Sequence, residues 1–190
     1  LMIKKEDIFL DRNKIRIKED QNYSQEIREF FNYYQDNFSW GNGGREVTES
    51  FEQELRLFPS NLKKLIKKFM LVDITQRHIG VWDEVILKQF LAARTFIFNN
   101  VSVILPVLDL VNHEVISLPF IKTKDGISTP NYPAIDGEIT HNYNNQSSIK
   151  RFFSYAFFSK ETLAFSVPFS MSFKNTEIFL KCKGKQINDD

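Results

Sequence analysis

Apolar and polar positions along the chain switch repeatedly between a period of two, which suits strands, and a period of three to four, which suits helices. Near the start, Asp7-Ile-Phe-Leu10 and Lys14-Ile-Arg-Ile17 read as two short strands around a turn at Asp11-Arg-Asn13. The second alternates charged and apolar residues, as a half-buried strand does. Ser24 can cap a helix, because its hydroxyl accepts from an orphan amide of the first turn. Behind it Ile27, Phe30, Phe31, Tyr34 and Phe38 recur at helical spacing and predict an apolar, core-packed face. Ser39-Trp-Gly-Asn-Gly-Gly44 stops that helix. Pro59-Ser60 starts another, with Leu62, Leu65, Ile66 and Phe69 on one face and Lys63, Lys64, Lys67 and Lys68 on the other. The lysines read first as a solvated face and second as a surface for an acidic partner. Asp83 is expected to cap a further helix that turns Val85, Ile86, Gln89, Phe90 and Ala93 inward.

Val101 to Leu105 is a β-branched apolar run ended by Pro106, and it reads as a buried strand. Ile116 to Ile135 is strand-like, with turns at Lys124-Asp-Gly126 and Pro130-Asn-Tyr-Pro133. Asp136-Gly137 turns into an expected strand over Glu138 to Tyr143. A helix capped by Ser147 or Ser148 runs through Phe152, Phe153 and Tyr155, and Thr162 to Phe169 and Glu177 to Lys181 read as strands. The tail from Lys183 looks loosely ordered.

The 190 residues can bury a real core, and 42% apolar with 26% charged residues is ordinary for a soluble chain. A net charge of +1 argues against bulk nucleic acid as a partner. No apolar run approaches membrane-spanning length and no signal peptide is visible, so an intracellular, cytoplasmic setting without membrane contact is expected. A single cysteine, Cys182, excludes a disulfide framework and a cysteine-rich zinc site, and three histidines exclude a histidine-rich one. No metal is expected. Gly41-x-Gly43-Gly44 follows a helix, not a strand, and lacks the spacing of a dinucleotide fingerprint.

Chemistry concentrates behind the buried strand, where Asp109, Asn112 and His113 fall within five positions. Buried polar groups need partners or a ligand. Four pieces follow one another in order: Arg94-Thr-Phe, then Leu105-Pro-Val-Leu-Asp-Leu-Val-Asn-His113, then Gly137-Glu-Ile-Thr-His-Asn-Tyr143, then Ser154-Tyr-Ala-Phe157. Together they resemble the second half of a SET domain, in the branch of RuBisCO large-subunit methyltransferase-like proteins. The match covers about residues 84–170.

The resemblance implies an α+β, SET-like fold of several short β-sheets, with knot-like C-terminal threading and a helical insert. The expected parts are N-terminal strands at 1–23, the insert at 24–98, a C-terminal core at 99–182 and a tail at 183–190. It implies transfer of a methyl group from S-adenosyl-L-methionine to a lysine of a protein substrate. Arg94 would hold the cofactor carboxylate, to which its planar fork is suited, although a cation at a helix C-terminus is favourable in its own right. Asn112 and His113 would hold the cofactor as well. Tyr143 would be catalytic, where without the flanking motif it reads as an ordinary strand tyrosine. Tyr155 and Phe157 would wall the lysine channel, and Asp109 would brace its turn.

Three departures keep other readings open. The family's Gly-x-Gly cofactor loop should lie just before Leu1, which makes a chain beginning Leu-Met a candidate fragment or processed product. Ala156 replaces the usual glycine and either fits or narrows the channel. Glu114 stands where a small residue is common, and either disturbs the cofactor or points outward. The alternatives are an inactive SET-like protein-binding module, or methyl transfer to another nucleophile such as histidine.

Overall fold

The N-terminal alternation folds as expected. β2 (Ile8–Asp11) pairs antiparallel with β3 (Lys14–Ile17), and Asp11 faces Lys14 across the turn. Arg12 and Asn13 take left-handed φ of 46° and 69°, the two-residue turn whose twist matches paired strands. Ile15 and Ile17 point into the core. Outward-facing Arg16 grips Asp36 with two hydrogen bonds of 3.0 and 2.8 Å. That fork holds the Asp36 carboxyl below its ordinary range.

The structure is a computed structural model and describes residues 1–70, 80–129, 137–143, 148–157, 168–173 and 176–181. His78, the turn expected at 130–133, Ser147, the strand start at 162–167, Cys182 and the tail at 183–190 lie outside the described residues. The architecture is α+β.

β1 (Ile3–Lys4), β4 (Thr95–Phe98) and β5 (Val101–Ile104) form one antiparallel sheet in the order β1-β5-β4. The expected strand at Val101 is thus half of a hairpin. Its partner, β4, falls in the last residues of the stretch assigned to the helical insert, directly after a helix that ends at Arg94 as expected. Asn99 and Asn100 make the turn at φ 48° and 63°, a conformation asparagine tolerates.

Among the described residues five α-helices accompany these strands: α1 (Gln25–Asn37), α2 (Arg45–Leu57), α3 (Ser60–Met70), α4 (Trp82–Arg94) and α5 (Ser148–Tyr155). The Ser24 hydroxyl caps α1, accepting from the Ile27 amide at 3.3 Å. The core takes only part of the expected stripe of α1, with Ile27 packed against it. Phe31, Tyr34 and Gln35 are buried, while Phe30 and Phe38 are 45% and 50% exposed and stack on either side of Tyr34. On α3 only Ile66 of the apolar face is buried among the residues whose side chains are described, and Leu62 and Leu65 stay exposed.

Val81, not Asp83, is the N-cap of α4. Asp83 sits inside the first turn, where a carboxylate is still favourable, and pairs with Arg45 at 3.1 Å. The glycine run answers to backbone geometry. A Cβ at Gly41 would fall 1.9 Å from the Asp36 carbonyl oxygen, and Gly43 carries the kink between α1 and α2 at φ 85°.

Two apolar clusters result. The larger joins Ile3, Ile15, Phe31, Trp40, Ile86 and Ile104, and the smaller joins Phe51, Leu55, Ile66 and Phe153. β7 (Ile121–Lys122) pairs antiparallel with β8 (Ile127–Ser128) across the expected Asp-Gly turn, and β10 (Pro168–Phe173) pairs antiparallel with β11 (Thr176–Lys181).

Pro106 ends β5 as expected, but the next residue is a surprise. Val107 is β-branched yet has φ 77° and ψ −49°, and it is 62% exposed. Such a conformation is strained for any residue with a Cβ. Val107→Gly is expected to raise stability by about 1 kcal/mol, the relieved strain outweighing the extra unfolded-state entropy of glycine. Urea unfolding measures it, and a destabilised variant would contradict the strain.

Candidate functional site

The site grows from the end of α4 and the turn after β5. Asp109 lies in a 3-10 turn (Leu108–Leu110), its side chain wholly shielded from solvent. Its carboxylate accepts a hydrogen bond from the Tyr34 hydroxyl of α1. Arg94, the last residue of α4, donates to the Asp109 carbonyl at 3.1 Å and sits 3.7 Å from the carboxylate Oδ2. Asp109 therefore ties two helices to its turn, the bracing role expected of it. Burial pushes its carboxyl above the usual range against the pull of Tyr34 and Arg94. The Tyr34 hydroxyl is pushed up by burial and by the Asp109 charge.

A short parallel ladder follows. β6 (Asn112–His113) pairs with β9 (Thr140–His141), setting Asn112 beside Thr140 and His113 beside His141. The strand expected over Glu138 to Tyr143 is regular only at these two residues. Side chains lace the rest: Asn142 Nδ2 donates to the Val115 carbonyl at 2.7 Å, and the Ser117 and Thr140 hydroxyls meet at 2.6 Å. Glu114 neither points outward nor into a cavity; its carboxylate turns back onto the Val115 amide at 2.7 Å.

Tyr143 is fixed at both ends. Its amide donates to His113 Nδ1 at 3.0 Å, and its hydroxyl donates to the Val111 carbonyl at 2.8 Å. Burial pushes the phenol up to about 12, so it stays protonated at neutral pH. The His113 ring accepts at Nδ1, which places its proton on Nε2. Burial, helped by the Arg151 charge, holds His113 below its ordinary value. Tyr155, at the end of α5, packs its ring 4.6 Å from Tyr143, and Phe157 lies 5.9 Å from His113. Between them Ala156 has φ 62°, so the departure from glycine falls at a left-handed helix end that glycine favours.

These groups border two cavities. One of about 280 Å³ is bounded by Arg94, Asp109, Phe120, His141, Tyr143 and Tyr155. The other, of about 220 Å³, lies among Gly43, Thr48, Gln89, Arg94 and Tyr155. Arg94 and Tyr155 line both. Of the six residues singled out from the sequence, Arg94, Tyr143 and Tyr155 meet on one cavity wall, and His113 and Phe157 stand behind Tyr143. Asn112 is not brought in: it is exposed and its amide donates to Glu138 Oε1 at 2.6 Å.

His141 was not anticipated. It stands two residues before Tyr143, so a period of two would have put both on one face of the strand. Its ring lies 4.5 Å from Tyr143 and 3.5 Å from Phe120. Burial lowers its pKa to about 4. A histidine whose folded pKa is depressed stabilises the fold above its unfolded value near 6.5, and that stability is lost as pH falls towards 4. We expect about 2 kcal/mol to disappear over this window, with His113 adding in the same direction. Urea titrations across the window check it: His141→Phe should flatten the profile, and an unchanged slope would refute the assignment.

Among the described residues no group of three His, Cys, Asp or Glu side chains could hold a metal ion. Among them, too, no helix is long and apolar enough to cross a membrane. No protein-family model, no curated protein and no solved structure matches this chain.

Proposed function

We propose that this chain has a SET-like core and transfers a methyl group from S-adenosyl-L-methionine to a lysine side chain of a protein. The observation that carries this reading is the convergence of Arg94, Tyr143 and Tyr155 on the wall of one cavity, with Arg94 and Tyr155 also lining a second. The residues suit the cofactor. A guanidinium can hold a carboxylate, and the face of Tyr155, which lines both cavities, can meet a sulfonium by cation–π attraction. Bound there, the cofactor supplies an electrophilic methyl whose S–C bond breaks with its electron pair kept on sulfur.

The protein's share is alignment and selection of protonation state. The acceptor nitrogen must arrive with its lone pair free, whereas a lysine in water is protonated below about pH 10.4. A cavity walled by aromatic rings and by the cations Arg94 and Lys122 favours the uncharged amine. Tyr143, anchored by its own amide and hydroxyl, holds a fixed surface against which that amine is aimed, and positioning of this kind is the main contribution such a displacement needs. The engagement of Asn112 by Glu138 favours the second reading, a SET-like module that binds a protein without turnover.

Calorimetric titration of S-adenosyl-L-homocysteine into the chain separates the two. Saturable binding weakened at least about tenfold by Arg94→Lys, which keeps the charge and loses the planar fork, supports the enzyme. A folded chain that binds none of it supports the module.

A further inference from the structure

The larger cavity has a property that the six residues drawn from the sequence do not explain. Among the described residues, three acceptor atoms of its lining lack a hydrogen-bond partner: His141 Nδ1, Asn142 Oδ1 and Asp109 Oδ2, the last facing Arg94 at 3.7 Å. His141 and Asp109 are only 6% and 9% exposed. Buried acceptors left unpaired are costly, and natural structures seldom keep them without a ligand or water to satisfy them. Several donors of the lining are already used: the Tyr143 hydroxyl by the Val111 carbonyl, the Asn142 amide by the Val115 carbonyl, and one Arg94 N–H by the Asp109 carbonyl. A ligand that pairs with the open acceptors brings hydrogen-bond donors with it.

We infer that His141 positions the acceptor, its Nδ1 taking a hydrogen bond from an amine N–H in the larger cavity, so that the site selects nitrogens that still carry an N–H. The inference rests on the methyl-transfer reading of that cavity. A neutral imidazole offers one acceptor nitrogen, and burial keeps this ring neutral across the physiological range. An amine held by its N–H has its lone pair turned away from the imidazole and free for the methyl group. A primary amine offers two such protons when neutral and a monomethylated amine one. A neutral dimethylated amine has none, so transfer should stop at the dimethyl product.

The test uses n-butylamine as the acceptor probe and N,N,N-trimethylbutylammonium as a probe without an N–H, both titrated at about pH 9 against the whole chain while the ring resonances of Tyr143 and Tyr155, which line the cavity in every variant, are followed by NMR. His141→Asn keeps an acceptor near the Nδ1 position, and His141→Phe keeps ring volume without one. The expected result is saturable binding of butylamine to wild type and His141→Asn, at least about tenfold weaker binding to His141→Phe, and equally weakened binding of the quaternary probe to wild type. Equal binding of butylamine by His141→Phe, or of the quaternary probe by wild type, overturns the inference. S-adenosyl-L-homocysteine is titrated in parallel. If it binds and butylamine does not, the role of His141 falls alone. If butylamine binds through His141 and the cofactor product does not, the methyl-transfer reading falls and the amine site stands.

Discussion

Tyr143→Phe is expected to slow methyl transfer by about a hundredfold or more while leaving cofactor affinity within about twofold. The hydroxyl makes one hydrogen bond, to the Val111 carbonyl at 2.8 Å, and that bond fixes where the phenol oxygen stands in the cavity. Phenylalanine keeps the ring packed 4.6 Å from Tyr155, so the wall survives. What is lost is a polar group oriented before the reaction, and such groups act on the transition state more than on the bound ground state. The fold should weaken only by about 1 kcal/mol, the usual net worth of one hydrogen bond. Single-turnover transfer to a lysine peptide, set against a calorimetric titration, separates the two effects. A rate left within a few-fold of wild type would remove Tyr143 from the chemistry.

Asp109→Ala is expected to cost about 3–5 kcal/mol of folding stability, because it strands the partners of a buried charge. Arg94 would lose the carboxylate 3.7 Å from its guanidinium, and the Tyr34 hydroxyl would lose its acceptor. Asp109→Asn should cost less, since an amide oxygen still accepts from Tyr34. Urea unfolding of the two variants gives the comparison. An alanine variant weakened by under about 1 kcal/mol would show that Asp109 is not the hub its contacts describe.

Local chemistry was legible in the sequence where it is local in the fold. The Ser24 cap, the Asp11 to Asn13 turn and the end of β5 at Pro106 each depend on neighbours within a few positions. The hairpin of β4 and β5 had a usable signal in Thr95-Phe-Ile-Phe followed by Asn-Asn, because asparagine accepts the left-handed turn. Helix α2 escaped because only Val47, Phe51 and Leu55 mark its apolar spacing, directly after a glycine run. Exposure of Phe30 and Phe38 was not legible, since periodicity shows that a stripe exists and not what covers it. The same holds for the site. Order and spacing singled out Arg94, Tyr143 and Tyr155, which do meet, but could not show that Asn112 turns away to Glu138 or that His141 faces the cavity. Val107 was beyond reach, because nothing in a valine advertises a positive φ.

The long reach of the contacts around Tyr143 has a kinetic consequence. Its bonds to His113 and Val111 close loops of 30 and 32 residues, and the bond from Tyr34 to Asp109 closes one of 75. Loop-closure entropy must be met before such contacts return anything, so they form late, after the β2–β3 hairpin and the helices. Substitutions in the ladder of β6 and β9 should then quicken unfolding and scarcely touch the refolding rate. The part of the molecule that organises its chemistry would be the last to assemble and the first to open.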